Sequence, residues 1–188
     1  MVMIQTPTRP ITLAEFLTQA ASGERCELID GKTIFKMSPQ RFHSRTQRAL
    51  LHILEDWGET QGEVGLEWAT LLKRRGQDWV PIPDLLFVYQ TRLPSDLGDA
   101  PCPVPPDLAI EIISPGQSFG DMAEKATDYL AAGVAMVWVV DPQAQSITVF
   151  LPQAVPVTYR GDTPLMLKNL PHLTITANQT FGNAGLMD

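Results

Sequence analysis

The chain has 188 residues, 44% hydrophobic and 19% charged, a composition that fits one globular domain with a full core and excludes a low-complexity or disordered polymer. No apolar run approaches the ~20 residues of a bilayer span, and no basic segment followed by a long apolar stretch opens the sequence, so neither a membrane anchor nor a signal peptide is expected. A formal net charge of −7 counts against tight binding of nucleic acid through general electrostatics, which draws on Lys and Arg.

In chain order, Thr12 with Glu15 three residues on forms a capping-box pattern, and Leu13, Phe16 and Leu17 give a helical stripe to about Ser22, ended by Gly23. Asp30-Gly31 between two apolar segments signals a hairpin. From about Phe42 to Thr60, Leu50, Ile53, Leu54 and Trp57 recur on one helical face. Val64 to Leu72 and Trp79 to Tyr89 then read as two strands joined by a turn at Arg75-Gly76. The Pro-rich stretch Pro94 to Pro106 reads as a loop. DLAIEII is a strand that ends at Ser114-Pro115-Gly116. A helix from about Ser118 to Ala132 follows, closed by Gly133. VAMVWVV has the continuous apolar, β-branched character of a buried central strand, and Asp141-Pro142 breaks it. Short strands at Ser146 to Leu151 and Pro156 to Tyr159 precede a weakly patterned tail. The order implies an α/β fold with a mixed central sheet flanked by helices, in a single domain over 1–188 with its core at about 12–181.

Three charged residues stand out against this apolar background. Asp84 lies in VPIPDLLFVY, where both flanks are apolar, so its carboxylate needs a partner or a metal ion. A strand-end aspartate capping a backbone amide would look the same. Glu111 has Ile110 before it and Ile112-Ile113 after it, in a strand whose two faces both read as buried; an ion pair with a nearby Arg or Lys is the alternative to a metal. Two carboxylates from adjacent strands repel unless positive charge lies between them, a role that suits Mg²⁺. Lys125 borders the inward stripe of Met122, Ala126, Tyr129 and Leu130 on the next helix, where it either reaches over the sheet end or snorkels to solvent. Gln117 and Asp121 fall close in sequence and are candidates for the rim. Arg41, Arg45 and Arg48, and Lys73, Arg74 and Arg75, are two basic clusters able to face a polyanion. Two widely spaced cysteines, Cys26 and Cys102, fit neither a zinc site nor a redox pair and suit a reducing, cytoplasmic compartment.

The segments ELIDGK, SPQRFH, PDLLFV, PDLAIEIISP and DMAEKATDYLAAGVAMVWVVDP, in this order, resemble the Uma2 family (DUF820) of restriction-endonuclease-like proteins, over roughly Thr12 to Phe181. The resemblance implies a restriction-endonuclease-like fold and a PD-(D/E)XK site. It makes Asp84 the acidic residue of the PD element and Glu111 that of the (D/E)XK element. Two residues after Glu111 stands Ile113 rather than lysine, and Lys125 on the next helix is the match for the missing cation. Glu27 matches the acidic residue near the first helix and hairpin, and His43 a histidine near the start of the second helix. The implied activity is Mg²⁺- or Mn²⁺-dependent cleavage of DNA, with Asp84, Glu111 and the carbonyl of Ile112 as metal ligands; a homodimer would serve double-strand cleavage. The alternatives are a catalytically silent nuclease-fold module that binds nucleic acid or a protein partner, and a structural domain whose carboxylates are only ion-paired.

Overall fold

The computed structural model describes residues 9–20, 25–167 and 169–187. Helix α1 (Leu13–Ala20) begins at the anticipated capping box: the Thr12 amide donates to Glu15 Oε2 at 2.8 Å and the Glu15 amide to Thr12 Oγ1 at 3.3 Å. Its expected end at Ser22-Gly23 lies outside the described residues. Strands β1 (Cys26–Ile29) and β2 (Lys32–Phe35) form the hairpin, with Asp30 and Gly31 both at positive φ, as a two-residue turn of this hand requires. Alternation along β1 sends Cys26 and Leu28 against Phe16 of α1, leaving Glu27 on the opposite face.

The main sheet has six strands in the order β10-β9-β8-β7-β6-β3: β3 (Gly62–Leu66), β6 (Leu85–Tyr89), β7 (Leu108–Ile112), β8 (Val137–Asp141), β9 (Ser146–Phe150) and β10 (Val157–Tyr159). Only β7 and β8 pair in parallel; α3 (Phe119–Ala131) makes the crossover between them. Strand periodicity splits the core into two layers. Leu108, Ile110 and Ile112 of β7, Trp138 and Val140 of β8, and Leu85 and Phe87 of β6 face α2 (Arg41–Gly58), which brings Leu50 and Leu54. Ala109 of β7 and Val137 and Val139 of β8 face α3, which brings Met122, Ala126 and Tyr129. Glu111 belongs by alternation to this second face. Register pairs Leu85 with Ile110, and continuing it by one residue sets Asp84 beside Glu111, with the Asp84 amide donating to the Ile110 carbonyl at 3.0 Å.

Two expectations change. The segments read as long strands, 64–72 and 79–89, each divide. Their inner parts pair as a separate hairpin, β4 (Leu72–Arg74) and β5 (Gln77–Trp79), turning at Arg75-Gly76 as expected, while β3 and β6 enter the main sheet. Glu67 at φ 49° turns one segment, and Pro81 and Pro83, which lack amide donors, interrupt the other. The tail also holds a helix, α4 (Ala177–Asn183), capped by Thr176, whose Phe181 and Ala177 complete the α2 layer. No helix among the described residues is long and apolar enough to cross a membrane.

Candidate active site

At the carboxyl end of β7 the chain leaves a cavity of about 180 Å³, walled by Glu27, Lys36, His43, Asp84, Glu111, Ile112, Gln117 and Lys125 among others. Each wall has a local cause. Pro83 and the end of β6 halt the ladder at Asp84, so its side chain, only 4% exposed, stands at a strand end among polar partners. The Ile112 amide donates to Asp84 Oδ2 at 2.7 Å, and His43 Nε2, from the first turn of α2, lies 3.0 Å from the same oxygen. Lys36 Nζ, just past β2, lies 3.0 Å from Asp84 Oδ1 and donates to the Ile82 carbonyl at 2.7 Å. Gln47, one helical turn beyond His43, donates to the Asp84 carbonyl at 3.0 Å.

Glu111, also 4% exposed, sits across from α3, and Tyr129 donates its hydroxyl to Glu111 Oε1 at 2.8 Å. Lys125, one turn before Tyr129, bridges two carboxylates: its Nζ is 2.9 Å from Glu111 Oε1 and 3.0 Å from Glu27 Oε1. Glu27 Oε1 also accepts the Ile82 amide at 3.0 Å, which fixes the hairpin against the loop before β6.

The two neighbouring carboxylates are driven apart in acidity. Burial pushes the Asp84 carboxyl up, but the His43 hydrogen bond, the Lys36 and His43 charges and the Ile112 amide outweigh it and hold it well below the usual carboxylate range. Burial pushes Glu111 up, with the Asp84 and Glu27 charges adding to it against the pull of Lys125. Burial would lower Lys125, but Glu111 and Glu27 hold it above its ordinary value, so it is an ammonium ion and not a base at neutral pH. Tyr129 is raised by burial and by Glu111, and remains a hydrogen-bond donor.

The structure thus gathers Glu27, His43, Asp84, Glu111, Ile112, Gln117 and Lys125 at one cavity. The contacts that a purely structural role would need are present: Asp84 caps the Ile112 amide and Glu111 is ion-paired with Lys125. Asp121 closes the capping box of α3 with Ser118 and lies on an adjoining groove, not in the cavity wall. Gln117 Oε1 accepts the Ser114 amide at 2.9 Å, which orders the rim. Sequence reasoning missed Lys36 and Tyr129. For Tyr129 the signal was present: it lies on the inward helical stripe, one turn after Lys125. Lys36 carries no such signal, because its partner Asp84 is 48 residues away.

The Lys73–Arg75 cluster is ion-paired within the protein, although Lys73 and Arg75 stay largely exposed. Lys73 pairs with Asp78, Arg74 with Asp30 and Asp128, and Arg75 with Glu124. Arg41 and Arg48 on α2 remain exposed, and neither has a carboxylate partner among the described residues.

Oxygen donors dominate the cavity. Among the described residues no group of three or more His, Cys, Asp and Glu is arranged as a protein-only metal cage. Mg²⁺ does not need one: it is commonly held by one or two carboxylates, waters and substrate phosphate. Adjacent Asp84 and Glu111, the first kept ionised, fit that demand, with the positive charge of Lys36 and Lys125 now neutralising them.

Comparison with known proteins gives two findings. The model of the Uma2 family, described as "Putative restriction endonuclease", matches residues 13–178. A crystal structure of a "putative nuclease belonging to DUF820" from Anabaena variabilis superposes with a TM-score of 0.81 at 26% identity, covering 93% of this chain and 99% of that one. No curated protein matches the chain.

Proposed function

The chain belongs to the Uma2 family, and on that premise we propose that it is a metal-dependent endonuclease that hydrolyses phosphodiester bonds of DNA. The observation that carries this reading is the pair Asp84 and Glu111, side by side on adjacent strands in one cavity, with Lys125 bridging Glu111 to Glu27. Asp84, Glu111 and the carbonyl of Ile112 would hold Mg²⁺ or Mn²⁺. The chemistry such an ion supplies is polarisation of a phosphodiester oxygen and a water acidic enough to attack near neutral pH.

The protein's own groups do the rest. His43 and the Ile112 amide fix the Asp84 carboxylate in one orientation, as outer partners of ligating carboxylates do. Tyr129 does the same for Glu111. Lys125, held protonated, stabilises the negative charge that builds on the phosphoryl oxygens. Glu27 positions Lys125 through the shared 3.0 Å contact. Lys36 offers a second ammonium on the Asp84 side. A homodimer with C₂ symmetry would carry two such sites, and the buried thiols of Cys26 and Cys102 suit the reducing cytoplasm.

One observation favours a silent binding module instead: both carboxylates already have lysine counter-ions. Supercoiled plasmid distinguishes the two. Incubated with the protein and Mg²⁺ or Mn²⁺, it should become nicked, since supercoiling opens base pairs transiently, and a chelator should stop the reaction. A protein that binds the ion and leaves the plasmid intact is the silent module.

A further inference from the structure

A second cavity, of about 520 Å³, adjoins the carboxylate cavity and shares His43, Ser114 and Gln117 with it. It opens between the first turn of α2, the loop 113–117, the start of α3 and the turn after β8. Its size lies within the ~300–1,000 Å³ of small-ligand pockets. Two of its walls are phenylalanines that the fold leaves half in solvent: Phe42 is 45% exposed and Phe119 is 46% exposed. Gln143, across the cavity, carries a side-chain amide with no intramolecular partner among the described residues, so a donor and an acceptor are free there.

The charge of the protein says what kind of nucleic acid this serves. Net charge is −7, and every cation of the Lys73–Arg75 cluster already faces a carboxylate of this chain, which competes with phosphate for it. Few phosphate contacts remain, so counter-ion release contributes little affinity. Base stacking on aromatic side chains is the other source, but a base in an intact duplex has no free face to offer. We propose that this cavity takes a nucleobase next to the scissile phosphate, stacked on Phe42 and Phe119 with its edge toward Gln143, so that the substrate is DNA whose bases are unpaired at the cut. This rests on the nuclease reading and adds the substrate class to it.

The test uses the full chain carrying Glu111→Gln, chosen to block cutting during the measurement, and fluorescence anisotropy with a labelled single strand and its duplex. The single strand should bind about tenfold or more tightly than the duplex. Phe42→Ala with Phe119→Ala should weaken the single strand by about 10- to 100-fold and leave the duplex unchanged. Phe42→Tyr with Phe119→Tyr, which keeps the rings, should restore single-strand binding and shows that loss is not misfolding. Equal affinity for strand and duplex, or no effect of the alanines, overturns the base pocket while plasmid nicking by the wild type leaves the nuclease reading standing. If the alanines instead dissociate a dimer in sedimentation and strand binding holds, the cavity is a subunit interface and the proposal falls. No binding of either DNA, with no nicking, overturns both.

Discussion

Asp84→Asn should leave the fold intact and lower the cleavage rate by more than about 10³-fold, beyond the 10²–10³ that loss of one preorganised polar group costs. The carboxylate is buried, ionised, and the shared endpoint of Lys36, His43 and the Ile112 amide. Asparagine keeps its shape and one acceptor oxygen but brings an N–H group toward donors that want an acceptor. Leaving those partners short of a bond costs about 1–3 kcal/mol, well inside the 5–15 kcal/mol of a typical domain. Urea unfolding should therefore show a cooperative transition at a lower midpoint, and single-turnover kinetics should show almost no cutting. Cleavage at the wild-type rate would remove Asp84 from the chemistry.

Lys125→Met carries the largest stability effect. Lys125 neutralises two carboxylates that are 7% and 5% exposed at their side chains. Removing one member of a buried ion pair costs about 3–5 kcal/mol, because the other charge stays behind without a partner. At about 2–4 °C of melting temperature per kcal/mol for a chain of this size, the variant should melt roughly 6–20 °C lower at neutral pH. The pH dependence gives the sign. Burial already lifts Glu111 above its unfolded value, so the folded state favours the protonated acid, a contribution present below the unfolded pKa and lost as pH rises through the folded one. Without the Lys125 charge that lift grows, and the deficit should shrink as pH falls toward the ordinary carboxylate range. Asp84 runs the opposite way: its depressed pKa contributes stability above the unfolded value that is lost in acid, but Lys125 is not among its partners, so both proteins lose it alike and it drops out of the deficit. A deficit independent of pH, in melts from pH 4.5 to 8, would contradict the buried bridge.

Much of this was legible in the residues. The capping box at Thr12-Glu15, the turns at Asp30-Gly31 and Arg75-Gly76 and the buried runs of β7 and β8 are local chemistry, and each appears where its residues demand it. The anomaly of Glu111 among isoleucines was equally local. What stayed hidden depends on distance along the chain. Lys36 reaches Asp84 only because the β1–β2 hairpin folds over the end of β6. The split of 79–89 was announced by Pro81 and Pro83, yet the apolar run around them masked it. Helix α4 is seven residues with a glycine, too short for periodicity to show, and tertiary burial of Phe181 holds it. The Lys73–Arg75 cluster looked available because its acidic partners, Asp30, Glu124 and Asp128, come from other elements.

The most direct test of the central claim is a calorimetric titration of Mg²⁺ and Mn²⁺ into the wild type and into Glu111→Ala, with plasmid nicking followed on the same samples. The account predicts an ion-binding heat and nicking in the wild type, and the loss of both in the variant. A wild type that binds neither ion would contradict it, and would leave Asp84 and Glu111 as ion-paired structural carboxylates on a nuclease-like fold.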